Sequence, residues 1–222
     1  LVSQSHNDVR VWNPAAGGAA NEAQPEGHSG SVSELVTFVD PATSALRVAG
    51  STYSRVGPTI HVWDADTGDT LLVIEVGDFP ASLASTALGI FADPATGAPR
   101  LACATTQYND DYGHVRVYDP IAGGEALVVI DVGSKVSALA FFMDPATGEL
   151  RLACGRWDGK VRIFDPVAGG EALVVIDVKK RPSAGCGPAV AALAVFAYPA
   201  AGPPWLACGC NDGKIRIVDP VA

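Results

Sequence analysis

The 222-residue chain has one Met, four His and five Cys, and no run of about eighteen apolar residues interrupts it. No membrane-spanning helix is expected, and no basic segment followed by an apolar run marks a secretory signal at the N-terminus. The chain begins at Leu1 rather than Met, so a removed leader stays open. Basic residues are outnumbered 15 to 24, giving a net charge of −9, which repels polyanions; no nucleic-acid partner is expected. Cysteine is too sparse for a disulfide scaffold, and Asn-x-Ser/Thr acceptors are absent. Both favour an intracellular protein, cytoplasmic or nuclear.

The scarcity of reactive side chains also bounds the chemistry. A catalytic site needs a nucleophile, a base and an orienting group brought together, and His6, His28, His61 and His114 have no Ser or Cys companion at readable spacing. Cys208-Gly-Cys210 lacks a second pair at ligand spacing, with Cys186 the one further thiol whose approach sequence cannot settle. Asn109 to Gly113 does not reproduce a calcium-loop spacing, and no phosphate loop or dinucleotide fingerprint occurs. No catalytic residue, metal or cofactor is expected.

What the chain has is repetition. The decapeptide GGEALVVIDV at 123–132 returns unchanged at 169–178. Upstream of the copies stand VRVYDPIA and VRIFDPVA, so the repeat extends further. Its anchor position is Trp12, Trp63, Tyr118, Phe164 and Val218, at intervals of 51, 55, 46 and 54 residues, each time after an apolar–basic–apolar alternation. Within the unit, short runs rich in Val, Ile, Leu and Phe alternate with turn formers. Strands are expected at 127–132, 136–143, 150–154 and 160–164, with Asp158-Gly159 as a two-residue hairpin turn. Cys103, Cys154 and Cys208 fall at one equivalent position, in a strand apolar throughout and expected to be buried on both faces. Four antiparallel strands per unit are the signature of a propeller blade. The fold class is therefore all-β, a β-propeller of four-stranded blades occupying 1–222 as one domain, with about five blades represented.

The pattern Asp-Gly-Lys-Val-Arg-Ile-Phe-Asp at 158–165, with Val62-Trp63-Asp64 and Gly27-His28, resembles the WD40 repeat family across the whole chain, as a divergent member. The resemblance implies that the Trp-Asp pair ends a blade's third strand, that Leu-Val-Val-Ile-Asp-Val is the outer strand, and that His28 is structural. One anchor of five reads Trp-Asp, and the family's tetrad is incomplete: beside His28, Thr52 or Ser51 and Trp63, the turn Ser54-Arg55-Val56-Gly57-Pro58 has no Asp. Kelch propellers, with a period near 50 residues, are the rival; here the Gly-Gly pairs follow Asp-Pro instead of ending a second strand. Eighteen strands are expected, both terminal blades one strand short. The chain is then a portion of a six- to eight-bladed ring or a five-bladed ring with a defective seam, and exposed edges offer a route to self-association.

Length differences locate the binding face. From Asp40, Asp93, Asp144 and Tyr198 to positions 50, 103, 154 and 208 the spacing is always ten. Extra residues enter where the outer strand meets the next blade, or between the second and third strands. Both connections open on one face of a propeller, and varied loops on a rigid scaffold are where binding resides. This face carries Tyr53, Arg55, Phe79, Tyr108, Tyr112, Arg156, Trp157 and Arg181, the aromatic and Arg types enriched at hot spots. The expected function is a noncatalytic protein-interaction scaffold binding a protein or peptide partner. The alternative is a propeller enzyme, or a small-ligand or metal binder, using the central channel.

Overall fold

The computed structural model describes residues 2–5, 8–11, 21–23, 32–54, 57–76, 83–107, 112–178, 189–198 and 202–221; at 2–5, 8–11, 21–23, 53–54, 83–86 and 107 the backbone alone is described. Among these residues eighteen strands form five antiparallel sheets. The first sheet is β1 (Val2–Ser5), β2 (Asp8–Val11) and β3 (Asn21–Ala23). The second is β4 (Val32–Val39), β5 (Leu46–Ser54), β6 (Gly57–Asp64) and β7 (Thr70–Glu75). The third is β8 (Leu83–Ala92), β9 (Pro99–Gln107), β10 (Gly113–Tyr118) and β11 (Val128–Asp131). The fourth is β12 (Val136–Met143), β13 (Leu150–Arg156), β14 (Lys160–Phe164) and β15 (Val174–Asp177), and the fifth is β16 (Val190–Ala197), β17 (Pro204–Cys210) and β18 (Ile215–Val218). This is the propeller-type, all-β architecture expected, with the strand total and both short terminal sheets as read from the repeats.

Each core lies between consecutive sheets, because each blade turns two apolar faces to its neighbours. Between the third and fourth sheets, Phe91, Ala102, Ala104, Val115, Val117 and Ile130 meet Val136, Leu152, Cys154 and Phe164. The preceding gap repeats the arrangement, with Phe38, Ala49, Ile60, Val62 and Ile74 against Leu88, Leu101, Cys103 and Tyr118. The next does so again, with Phe142, Ala153, Val161 and Ile163 against Val190, Leu206 and Cys208. Cys103, Cys154 and Cys208 are buried thiols outside any disulfide, and burial pushes the Cys208 thiol up to about 11 and that of Cys154 up as well.

The uniform face is built by Asp. Asp40, Asp93, Asp144, Asp119 and Asp165 in Asp-Pro turns, and Asp64 in the equivalent Asp-Ala turn, each accept a backbone N–H two residues on, at 2.8–2.9 Å. An Arg on the second strand then joins the two turns of its blade: Arg100 reaches Asp93 at 3.4 Å and Asp119 at 3.0 Å, and Arg47 reaches Asp40 at 3.3 Å and also Asp64. Arg151 lies 3.8 Å from Asp144 and 3.9 Å from Asp165. The Asp-Pro signature is therefore a turn cap and an ion-pair acceptor together. In the second, third and fourth sheets the two turns at this end are locked together; the fifth has Tyr198 and Trp205 at the Asp and Arg positions and keeps the same spacing.

Candidate functional site

The opposite face gathers the connections that vary. Its best-described region joins the third and fourth sheets. The turn after β13 runs through Trp157, Asp158 and Gly159, with φ of 79° at Gly159, where a side chain would be strained. It is tied to the start of its own blade's first strand: the Trp157 N–H donates to the Lys135 carbonyl at 2.9 Å, extending the β12–β13 ladder, and Lys135 Nζ sits 5.5 Å from the centre of the indole ring. The Lys160 N–H donates to Asp158 Oδ1 at 3.1 Å. Trp157 is thus 57% exposed, with its backbone bonded to Lys135 and the Lys135 ammonium over its ring.

Tyr112, at the approach to β10, is 56% exposed. Its neighbour Gly113 backs onto the Ser134 carbonyl, with no room for a Cβ, so the approach to β10 is pressed against the connection that carries Lys135. Lys135 is thus packed by the backbone next to Tyr112 on one side and by Trp157 on the other. Sequence spacing placed Tyr112 and Trp157 on this face; Lys135 went unread, because its one sign was membership of the same short connection.

Arg156 occupies a different place. Only 4% exposed, it pairs through Nη2 with Asp158 Oδ2 at 2.9 Å, while its Nε and Nη1 find no hydrogen-bond partner. Burial pulls its guanidinium below the usual range, opposed by Asp158 and reinforced by the like charge of Arg162. It buttresses the Trp157 turn from beneath and does not form part of the outer surface. Arg162 Nη1 donates to the Val132 carbonyl at 3.2 Å, stitching β14 to the end of the preceding blade's outer strand. His61, at the same strand position, accepts or donates with Thr59 at 3.2 Å and stacks on Trp63 at 5.7 Å, and Thr59 meets Thr52 at 2.7 Å. That Thr–Thr–His–Trp line occupies the second blade, and His28 lies outside the described residues.

Arg55, Phe79, Tyr108 and Arg181 also lie outside the described residues, as do His6, Trp12 and Cys186, and only the backbone of Tyr53 is described. Among the described residues no group of three or more His, Cys, Asp or Glu is placed to hold a metal ion, and no helix is long and apolar enough to cross a membrane.

No protein-family model matches the chain, and no curated protein sequence matches it. Solved structures do. The chain resembles BBS1N in complex with ARL6DN, in a crystal soaked with lead, with a TM-score of 0.64 at 10% identity over 98% of this chain. A second crystal of that complex, soaked with mercury, gives a TM-score of 0.61 at 11% identity over the same share. The chain spans 60% of the length of the solved chains it matches. At such identity the likeness establishes the fold.

Proposed function

We propose that this chain is a noncatalytic WD40-like propeller scaffold that binds a protein or peptide segment on its varied-loop face, in the reducing interior of the cell. The observation that carries the reading is Trp157, a large aromatic surface presented to solvent while its backbone and ring are fixed by Lys135. A rigid exposed aromatic contributes binding area at little cost in ordering. Tyr112 widens the surface, and the buried Arg156–Asp158 pair holds the turn in place. The matched propeller structures contain BBS1N in complex with ARL6DN, a protein partner, which supports the same kind of use for this architecture.

Partner recovery by affinity purification with the intact chain tests the reading. Trp157→Ala should reduce recovery of bound partners about tenfold or more, the loss of a hot-spot aromatic, while thermal unfolding stays near the parent value. Recovery unchanged in both Trp157→Ala and Tyr112→Ala would remove these two residues from the binding surface. Substituting Arg156 instead should lower stability, since it leaves Asp158 without its cation.

A further inference from the structure

Apart from the partner surface, buried polar groups gather where the third and fourth sheets meet. Thr106 Oγ1, Arg156 Nε and Nη1, and Arg162 Nε are buried and have no hydrogen-bond partner among the described residues. Thr106 and Arg156 are only 7% and 4% exposed. Along β9, Thr106 continues the row of Ala102 and Ala104, which meets the fourth sheet. Arg156 lies two residues beyond Cys154, and Arg162 pairs with Cys154 across β13 and β14, so both lie on the face that meets the third sheet.

The three converge on the connection at 132–135. Arg162 Nη1 donates to the Val132 carbonyl at 3.2 Å, and a Cβ on Gly133 would lie 3.3 Å from the same nitrogen. Gly113, the register partner of Thr106, accepts the Val132 N–H at 2.9 Å and backs onto the Ser134 carbonyl. Arg156 pairs in register with Val136, which follows that connection.

The neighbouring blades supply the control. The second, third and fifth sheets have Thr52, Thr105 and Cys210 where the fourth has Arg156. In the third, Thr105 Oγ1 accepts from Arg116 Nη1 at 2.5 Å; in the second, Thr52 meets Thr59 at 2.7 Å and Thr59 meets His61 at 3.2 Å. Those blades place a hydroxyl beside the basic strand residue. The fourth places a second guanidinium there, which can only donate. Arg156 is paired with Asp158, but the acceptor that Arg162 meets is a neutral carbonyl. Water can accept from these donors without offsetting the second charge, whereas an oxyanion does both. A groove on the outer side, bounded by Val129, Asp131, Gly133, Arg162, Glu171 and Val175, leads to Arg162. Its two carboxylates favour an anion of single charge over one of higher charge.

We propose that the cleft between the third and fourth sheets binds a small, singly charged oxyanion, a carboxylate or a phosphate monoanion, which accepts from Arg156, Arg162 and the Thr106 hydroxyl. The site is independent of partner binding.

Thermal unfolding of the intact 222-residue chain tests it, in sodium acetate or sodium phosphate against sodium chloride of equal ionic strength. At about pH 5.5 acetate is ionised and phosphate carries close to a single charge. A saturable rise in Tm is expected, about 3 °C or more at about ten times Kd. Arg156→Thr, which recreates the Thr105–Arg116 pairing, should lose that rise whatever its own Tm in chloride. Thr106→Val leaves the Arg156–Asp158 pair intact and should weaken the apparent affinity about threefold to tenfold, one hydrogen bond to a charged ligand; it decides the matter if Arg156→Thr does not fold. A response to acetate alone assigns the site to carboxylates, and one to phosphate alone assigns it to phosphoryl groups. Three results would overturn the proposal: no saturable rise with either anion up to tens of millimolar, an equal rise in Arg156→Thr, which is a general salt effect, or an unchanged affinity in Thr106→Val.

Discussion

At the scale of single residues, one exchange of volume tells how the blades were kept compatible. Position 50 is Gly, whereas its equivalents are Cys103, Cys154 and Cys208, and its blade carries Trp63 at the anchor where the three blades with Cys carry Tyr118, Phe164 and Val218. A Cβ on Gly50 would lie 2.7 Å from Trp63 Cζ3 and 2.8 Å from Leu35 Cδ2. The indole therefore fills the space that a thiol takes in the other blades, opposite Tyr118 and Phe164. Gly50→Cys should destabilise by about 1–3 kcal/mol through overpacking. Combining it with Trp63→Phe, which recreates the Cys154–Phe164 pairing, should cost less than the two single changes added together. Denaturant unfolding of the four proteins in this cycle checks the coupling.

At the scale of elements, the turn-bearing ends of the second, third and fourth sheets depend on ionised Asp. The Asp93 carboxyl is held below its ordinary range by the Ala95 N–H, against an opposing effect of burial, with help from Thr96 and Arg100. For Asp119 burial pushes upward, but the N–H groups of Ala122 and Ile121 and the Arg100 guanidinium outweigh it, and the net direction is down. A carboxylate lowered in the folded state stabilises fully above its unfolded pKa of about 4, and that contribution is lost as pH falls through the folded value. Thermal unfolding should therefore drop steeply below about pH 4. Asp119→Ala should lower Tm by about 2–4 °C at pH 6, for roughly 1 kcal/mol of lost hydrogen bonding. The gap between the two proteins should narrow at pH 3, which a pH series of melts would show.

At the scale of the whole molecule, the described sheets pack in sequence, each on the next, so stability is passed along the arc as in other repeat proteins. The fifth sheet repeats the fourth almost residue for residue on its far side: Ala192, Ala194, Phe196, Ala207, Ile215 and Ile217 stand where Ala138, Ala140, Phe142, Ala153, Val161 and Ile163 stand. In the fourth sheet that face is covered by the fifth; in the fifth, among the described residues, it is exposed. Local opening is easiest where buried apolar contact is least. Amides of β16 to β18 should accordingly exchange about tenfold or more faster than those of β12 to β14, measured by hydrogen exchange on the intact chain. Equal protection in the two sheets would mean that the far face is covered in solution.

The repeat alone fixed the architecture, because a period of alternating strands with Asp-Pro and Asp-Gly turns has one economical way to bury its apolar faces. Strand limits such as 136–143 and 160–164 were legible for that reason, and so were the eighteen strands and the two short terminal sheets. Turn chemistry is local, and so is alternation. Contacts between units are not, and these the tertiary structure decided. Sequence put Arg156 and Trp157 side by side on the binding face, but the last residue of β13 is buried as Arg156 and the turn that follows it exposes Trp157. It gave no sign that Lys135 lies over the indole, that Arg47, Arg100 and Arg151 join the two turns of their blades, or that Gly50 makes room for Trp63. Each depends on distances between strands far apart in the chain, which only the packed sheets set.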